Sequence, residues 1–214
     1  VHFVLSDNKE LKTVATDSHR MSQKVITLEK NGDNFDVVIP SRSLREFTSV
    51  FSDDIETVEV FFANNQILFR SEHISFYTRL LEGNYPDTDR LIPTEFNTEA
   101  TFNVANLRFA MERARLLSNA TQNGTVKLEF KNGVVSSHVH SPEVGRVNEE
   151  IDTSAVSGED LSISFNPTYL IEALKAIDSE QVVIRFISSV RPFTLVPEGN
   201  EQGFIQLITP VRTN

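Results

Sequence analysis

The sequence of 214 residues contains no cysteine, and its eight glycines are scattered singly. Without cysteine there is no disulfide, no thiol nucleophile and no Cys-ligated zinc or iron–sulfur centre, and the absence fits a reducing cytoplasm. Isolated glycines build no phosphate-cradling loop. No apolar run approaches the ~18–20 residues of a membrane span, and no signal peptide is visible, so a soluble protein is expected. The formal charge of −10 argues against coating nucleic acid with the whole surface, because phosphate binding needs clustered Lys and Arg. It leaves room for a local basic face.

What the chain has is a near-repetition of itself. A lag of 126 residues places Leu44 on Leu170, Glu46 on Glu172, Phe51 on Ile177, Val58 on Ile184, Val60 on Phe186, Ile67 on Phe193 and Phe69 on Leu195. Residues 1–5, VHFVL, fit 126–130 at a lag of 125, and Arg20 fits Arg146 at 126. A period this long indicates duplicated domains rather than a solenoid of short repeats. By the same arithmetic the first copy lacks a counterpart of roughly residues 96–125, so the sequence reads as a fragment, consistent with a strand-like start without Met.

Strand signals dominate, over residues 58–62, 67–69, 126–130, 134–139, 161–165, 182–187 and 204–209, all short and rich in β-branched and aromatic residues. Asn31-Gly32, Asn123-Gly124, Asn132-Gly133 and Asn64-Asn65 offer the positive φ of hairpin turns. A helical period runs only through 43–51, 107–117 and 169–177, the first and third forming the repeat pair, each after a proline, Pro40 or Pro167. The expected class is α+β: tandem modules of antiparallel sheet, with two helices in a complete module. The segment 83–90, GNYPDTDR, breaks both periods, and the junction is expected near Pro93–Phe96, dividing 1–94 from 95–214. Loops at such a junction are candidate binding sites.

No catalytic constellation stands out. Ser18 beside His19 lacks the flanking glycines of a nucleophile elbow. His138 and His140 share one strand face but have no evident third metal ligand, so a polar face is the plainer reading. The pairs Asp53-Asp54, Glu149-Glu150 and Glu159-Asp160 read as solvated edges, and the sequons at Asn119 and Asn123 as turn chemistry. The helices carry more information. Arg108, Arg113 and Arg115 against Glu112 sum to +2, and Arg42 and Arg45 against Glu46 to +1, within an acidic chain.

Three ordered segments, TVATDSHRM at 13–21, GNYPDTDR at 83–90 and LITPVR at 207–212, resemble the bacterial DNA polymerase III β subunit family, the sliding clamps. The resemblance implies a non-catalytic processivity factor without cofactor or metal, a DNA clamp fold, and a ring of two protomers with three modules each, helices inside and sheets outside, around duplex DNA. This chain would carry most of the second module, lacking about its first 30 residues, and all of the third. Sequence-independent, salt-labile phosphate contacts would let the ring slide while closure prevents escape. Arg42, Arg45, Arg108, Arg115 and Lys175 are expected on or near the DNA face.

The resemblance further implies a peptide pocket where the polymerase α subunit, clamp loader and repair proteins dock a short motif of Gln and bulky apolar residues. Matching positions are Thr16, His19, Arg20, Met21, Pro86, Arg90, Leu91, Val190, Pro192, Leu207, Thr209, Pro210, Val211 and Arg212. Met21, Leu91, Val190, Leu207 and Val211 would form its apolar cleft. Ser18 departs from the family's usual glycine, Thr209 from a frequent methionine, and Thr213-Asn214 from an apolar end. Leu116 and Leu117 match protomer-contact positions, with core packing as the plain alternative. A chain without the first module should not close a ring. The competing readings, an enzyme domain with an unrecognised site or a tandem β-rich adhesion module, leave the three ordered segments unexplained.

Overall fold

A computed structural model describes residues 1–51, 55–118, 124–141, 145–200 and 203–212. Asp53-Asp54, both sequon segments and Thr213-Asn214 lie wholly or partly outside these. The fold is α+β, and the chain divides into two compact units: residues 1–15 with 24–87, and residues 16–23 with 88–214. Among the described residues no helix is long and apolar enough to cross a membrane.

The first unit opens with β1 (His2–Ser6), which pairs antiparallel with β2 (Glu10–Thr16). Asp7 and Asn8, at φ 49° and 63°, make the connecting turn, using the tolerance of Asp and Asn for left-handed backbone. After β3 (Arg20–Thr27), β4 (Phe35–Val38) returns to the other edge of β1. Asn31-Gly32 forms no positive-φ turn between them, contrary to expectation: neither residue has φ above zero, and the Gly32 N–H donates to the Asn8 carbonyl at 2.8 Å. Helix α1 (Ser41–Val50) follows Pro40, then the meander β5 (Glu59–Ala63), β6 (Gln66–Arg70) and β7 (Ser75–Arg79). Asn64, at φ 51°, turns β5 into β6 as expected. The buried centre consists of Ile39, Phe51, Ile67 and Phe69, with half-buried Leu44 and Phe47 against it.

The second unit starts from a single 3-10 turn, Asp89–Leu91, and continues through β8 (Thr98–Asn103), α2 (Val104–Ser118), β9 (Val126–Lys131), β10 (Val134–Ser141), β11 (Gly145–Ile151), β12 (Ala155–Gly158), β13 (Leu161–Phe165), α3 (Pro167–Lys175), β14 (Gln181–Phe186), β15 (Phe193–Pro197) and β16 (Phe204–Ile208). One antiparallel sheet runs β12-β8-β14-β15-β16, with the opening residues of β3 beyond β16, and the other runs β11-β10-β9-β13. Asn132 and Gly133, at φ 52° and 78°, make the expected turn from β9 to β10.

Each element of this unit offers one apolar face. β8 and β9 bury alternate residues, and α2 buries Val104, Leu107, Ala110, Met111, Ala114 and Ser118 at helical spacing. Helix α3 starts where Pro167 occupies its first turn and the Asn166 side chain accepts from the Thr168 N–H at 2.9 Å; it buries Leu170, Ile171, Ala173 and Leu174. Phe102, Phe165, Phe186 and Phe193 are at most 1% exposed. Burying each contributes about 1.5–3 kcal/mol before entropy is counted.

Candidate functional site

The best-defined polar arrangement grows from the turn between β2 and β3. The Asp17 N–H donates to the Arg20 carbonyl at 3.3 Å, and Asp17 Oδ1 accepts from the N–H groups of His19 and Arg20, both at 3.2 Å. Thr16 Oγ1 donates to the Arg20 carbonyl at 2.8 Å. Ser18 stands at φ 72°, which explains why glycine suits this position: a Cβ is strained in left-handed backbone. In the sequence TDSHR, Thr and Asp therefore close the turn through their side chains, and this aims His19 and Arg20 outward.

The chain's last described strand is tied to this turn. Thr209, just past β16, donates to the His19 carbonyl through both its N–H at 2.9 Å and its Oγ1 at 2.7 Å. Two residues on, the Val211 N–H donates to the Ser164 carbonyl at 2.7 Å. Helix α3 contributes the third side. The Arg20 guanidinium donates from Nε to Asp17 at 2.9 Å and from Nη1 to Glu172, and lies 4.7 Å from the centre of the Tyr169 ring. The His19 ring lies nearly parallel to Tyr169, 6.0 Å away. Burial pushes the Asp17 carboxyl up, but the Arg20 side-chain bond, with the backbone donors, overcomes this and holds it below the usual carboxylate range. For Arg20, burial acts downward and the bonds to Glu172 and Asp17 more than reverse it, so the guanidinium stays charged.

Of the expected pocket residues, Thr16, His19, Arg20 and Thr209 are joined by these bonds, and Leu207 pairs with Thr194 on β15 just beyond Pro192. Met21 and Leu207 are interior, 2% and 4% exposed, whereas Leu91, Val190 and Val211 stand 52%, 52% and 37% exposed. The apolar set thus splits into two residues fixed in the core and three open to solvent. Pro210 is half-buried and Arg212 exposed; Arg90 is exposed on the 3-10 turn; Pro86 is an exposed residue of the first unit. Tyr169 and Glu172 escaped the sequence reading. Their signal was the polar side of α3: Glu172 entered only as the repeat partner of Glu46, which bonds instead to Arg42 along its own helix at 3.0 Å.

The helix cations are not all free. Arg42 and Arg45 are exposed on α1, and Lys175 is exposed at the end of α3. Arg108 is half-buried near Glu112 and over Phe109, Arg115 is half-buried, and Arg113 is bonded to Glu149, which keeps its guanidinium firmly charged. Leu116 is 73% exposed, which rules out core packing for its side chain, while Leu117 is half-buried against the core of the second unit. His138 and His140 do not converge on one point: His138 bonds to Asn148 at 2.9 Å and Ser136 at 2.8 Å, and His140 accepts from Arg146 at 3.2 Å.

Comparison with known proteins resolves the family. Residues 89–212 match the model of the C-terminal domain of the DNA polymerase III beta subunit, and residues 1–87 that of its central domain. The chain belongs to the DNA polymerase III beta subunit family. Within this family, the beta sliding clamp of Streptococcus pneumoniae serotype 4 is 80% identical over all 214 residues, and that of Lactococcus lactis 54% identical over an alignment of 216. The crystal structure of the DNA polymerase III beta chain from Streptococcus pneumoniae TIGR4 superimposes with a TM-score of 0.97 at 80% identity, covering 99% of this chain and 56% of that one. The chain spans 57% of the length of either sequence relative. The expected clamp fold is therefore the observed one.

Proposed function

We propose that the protein serves as part of a non-catalytic sliding clamp, a cytoplasmic processivity factor that encircles duplex DNA and tethers the polymerase α subunit, clamp loader and repair proteins by a peptide site. Residues 1–94 and 95–214 act as the second and third modules of a protomer, which forms a two-protomer ring when the first module is present. The family match across both units supports this reading, and the turn locked to the segment around Thr209 is the observation that carries the peptide site. Exposed Leu91, Val190 and Val211 supply apolar contact, and His19 and Arg20 supply donors. Leu116 belongs to the protomer contact. Arg42, Arg45, Arg108, Arg115 and Lys175 meet phosphates, and the carboxylates beside some of them keep those contacts weak, which suits a ring that must move.

The test is titration of a labelled peptide opening on Gln and closing on Leu-Phe. The expected result is saturable binding that Val211→Glu weakens at least tenfold with folding retained; Val211 is the apt choice because Met21 is interior and its replacement would perturb the fold. An isotherm unaltered by Val211→Glu would remove the peptide site.

A further inference from the structure

Arg20 is the most heavily engaged cation of the second unit. A guanidinium offers two edges on which a carboxylate can dock with paired bonds, Nε with Nη2 and Nη1 with Nη2. Asp17 takes Nε and Glu172 takes Nη1, so each edge has lost one donor. Tyr169 lies against one face of the group. Counted formally, Asp17, Arg20 and Glu172 sum to −1. The cation that looks available for an acidic ligand is thus interrupted on both edges and overcompensated in charge.

The two carboxylates differ in role. Asp17 also accepts two backbone N–H groups, so it is part of the turn itself. Glu172 bonds through its side chain to Arg20 alone among the described residues, projects from the polar side of α3 with its side chain half exposed, and buries nothing that the helix needs. It can be removed without opening the core.

We propose that Glu172 is a specificity-determining residue, occupying Arg20 so that the site beside the β2–β3 turn discriminates against acidic residues in a bound peptide. This rests on the peptide-site reading above. Removing Glu172 opens the Nη1–Nη2 edge and brings the local charge to zero, so a carboxylate gains a paired, charge-assisted partner while a neutral amide gains far less.

The experiment uses labelled peptides with Gln first and Leu-Phe last, carrying Asp or isosteric Asn at each intervening position in turn, titrated against the protein and Glu172→Ala at low and moderate salt. Alanine preserves helix propensity. The expected outcome is a gain of about fivefold for at least one Asp peptide on Glu172→Ala, less at higher salt, with its Asn partner changed less than twofold. Equal changes for both partners, or none, overturn the role of Glu172 and leave the peptide site standing. No binding of any peptide to either protein overturns both. Glu172→Gln separates charge from shape: it should reproduce at least part of the Asp-selective gain, and a Gln variant indistinguishable from the parent on every peptide counts against the proposal.

Discussion

Helices α1 and α3 occupy corresponding places in the repeat, yet α3 buries five residues and α1 none. Leu170 is 0% exposed, while its counterpart Leu44 is only half-buried. The strands that follow behave alike. β14 lies between β8 and β15, and Phe186 is wholly enclosed; β5 is the edge of a three-stranded meander, and every one of its residues is exposed, including Val60 and Phe61. What separates the copies is company. In the second unit β8 pairs with β14 and α2 packs on α3, whereas among the described residues of the first unit no strand lies on the outer edge of β5. Apolar patterning marks a residue as fit for burial, and the neighbouring element decides whether burial happens.

The sharpest way to break this comparison is a cavity at paired positions. Phe186 packs with ring centres 4.9 Å from Phe130 and 5.2 Å from Phe193. Phe186→Ala should destabilise the second unit by about 3–5 kcal/mol, whereas Val60→Ala should cost the first about 1 kcal/mol or less. Denaturant unfolding followed by probes in each unit checks this. Equal losses at the two sites would mean that the exposed face of β5 is covered in solution.

The ease of reading this fold from sequence follows the same division. Residues 126–130, 134–139 and 161–165 lie within the observed β9, β10 and β13, because Asn132-Gly133 and β-branched alternation are local signals that tertiary packing reinforces. β2, β3, β7, β11 and β12 gave no such signal: their Lys, Glu, Ser and Thr residues face solvent, and only ladder partners hold them extended. Helix α1 begins two residues before its apolar period, since its first turn carries Ser41 and Arg42 and Pro40 alone marks the entry. At the site, TDSHR declared a turn, but the meeting of Arg20 with Tyr169 and Glu172 spans about 150 positions, and no local pattern encodes so distant a contact.

A smaller effect sharpens the contrast at the turns. Ser18 at φ 72° and Asn64 at φ 51° are both left-handed, but Asn adopts this conformation readily and Ser does not. Ser18→Gly should stabilise the second unit by about 0.5–1 kcal/mol, and Asn64→Gly should leave the first within about 0.5 kcal/mol. Midpoint shifts in urea, compared probe by probe, report the difference. A destabilised Ser18→Gly would mean that the Ser18 side chain or its restriction of the unfolded chain outweighs backbone strain.

The smallest expected effect is electrostatic and belongs to the second unit alone. Because the folded Asp17 carboxyl titrates below its ordinary value, its ionised form stabilises the turn. That stabilisation is fully present above about pH 4, the unfolded carboxylate value, and is lost as pH falls through the lower folded value. Asp17 is largely exposed, so salt and solvent reduce the effect. Asp17→Asn should therefore lower stability at neutral pH while flattening the acid limb of the second unit's stability profile, and probes on β5 and β6 should not respond. An acid limb equally steep in Asp17→Asn would assign that limb to other carboxylates and leave the turn to be held by Thr16 and the bonds from Thr209.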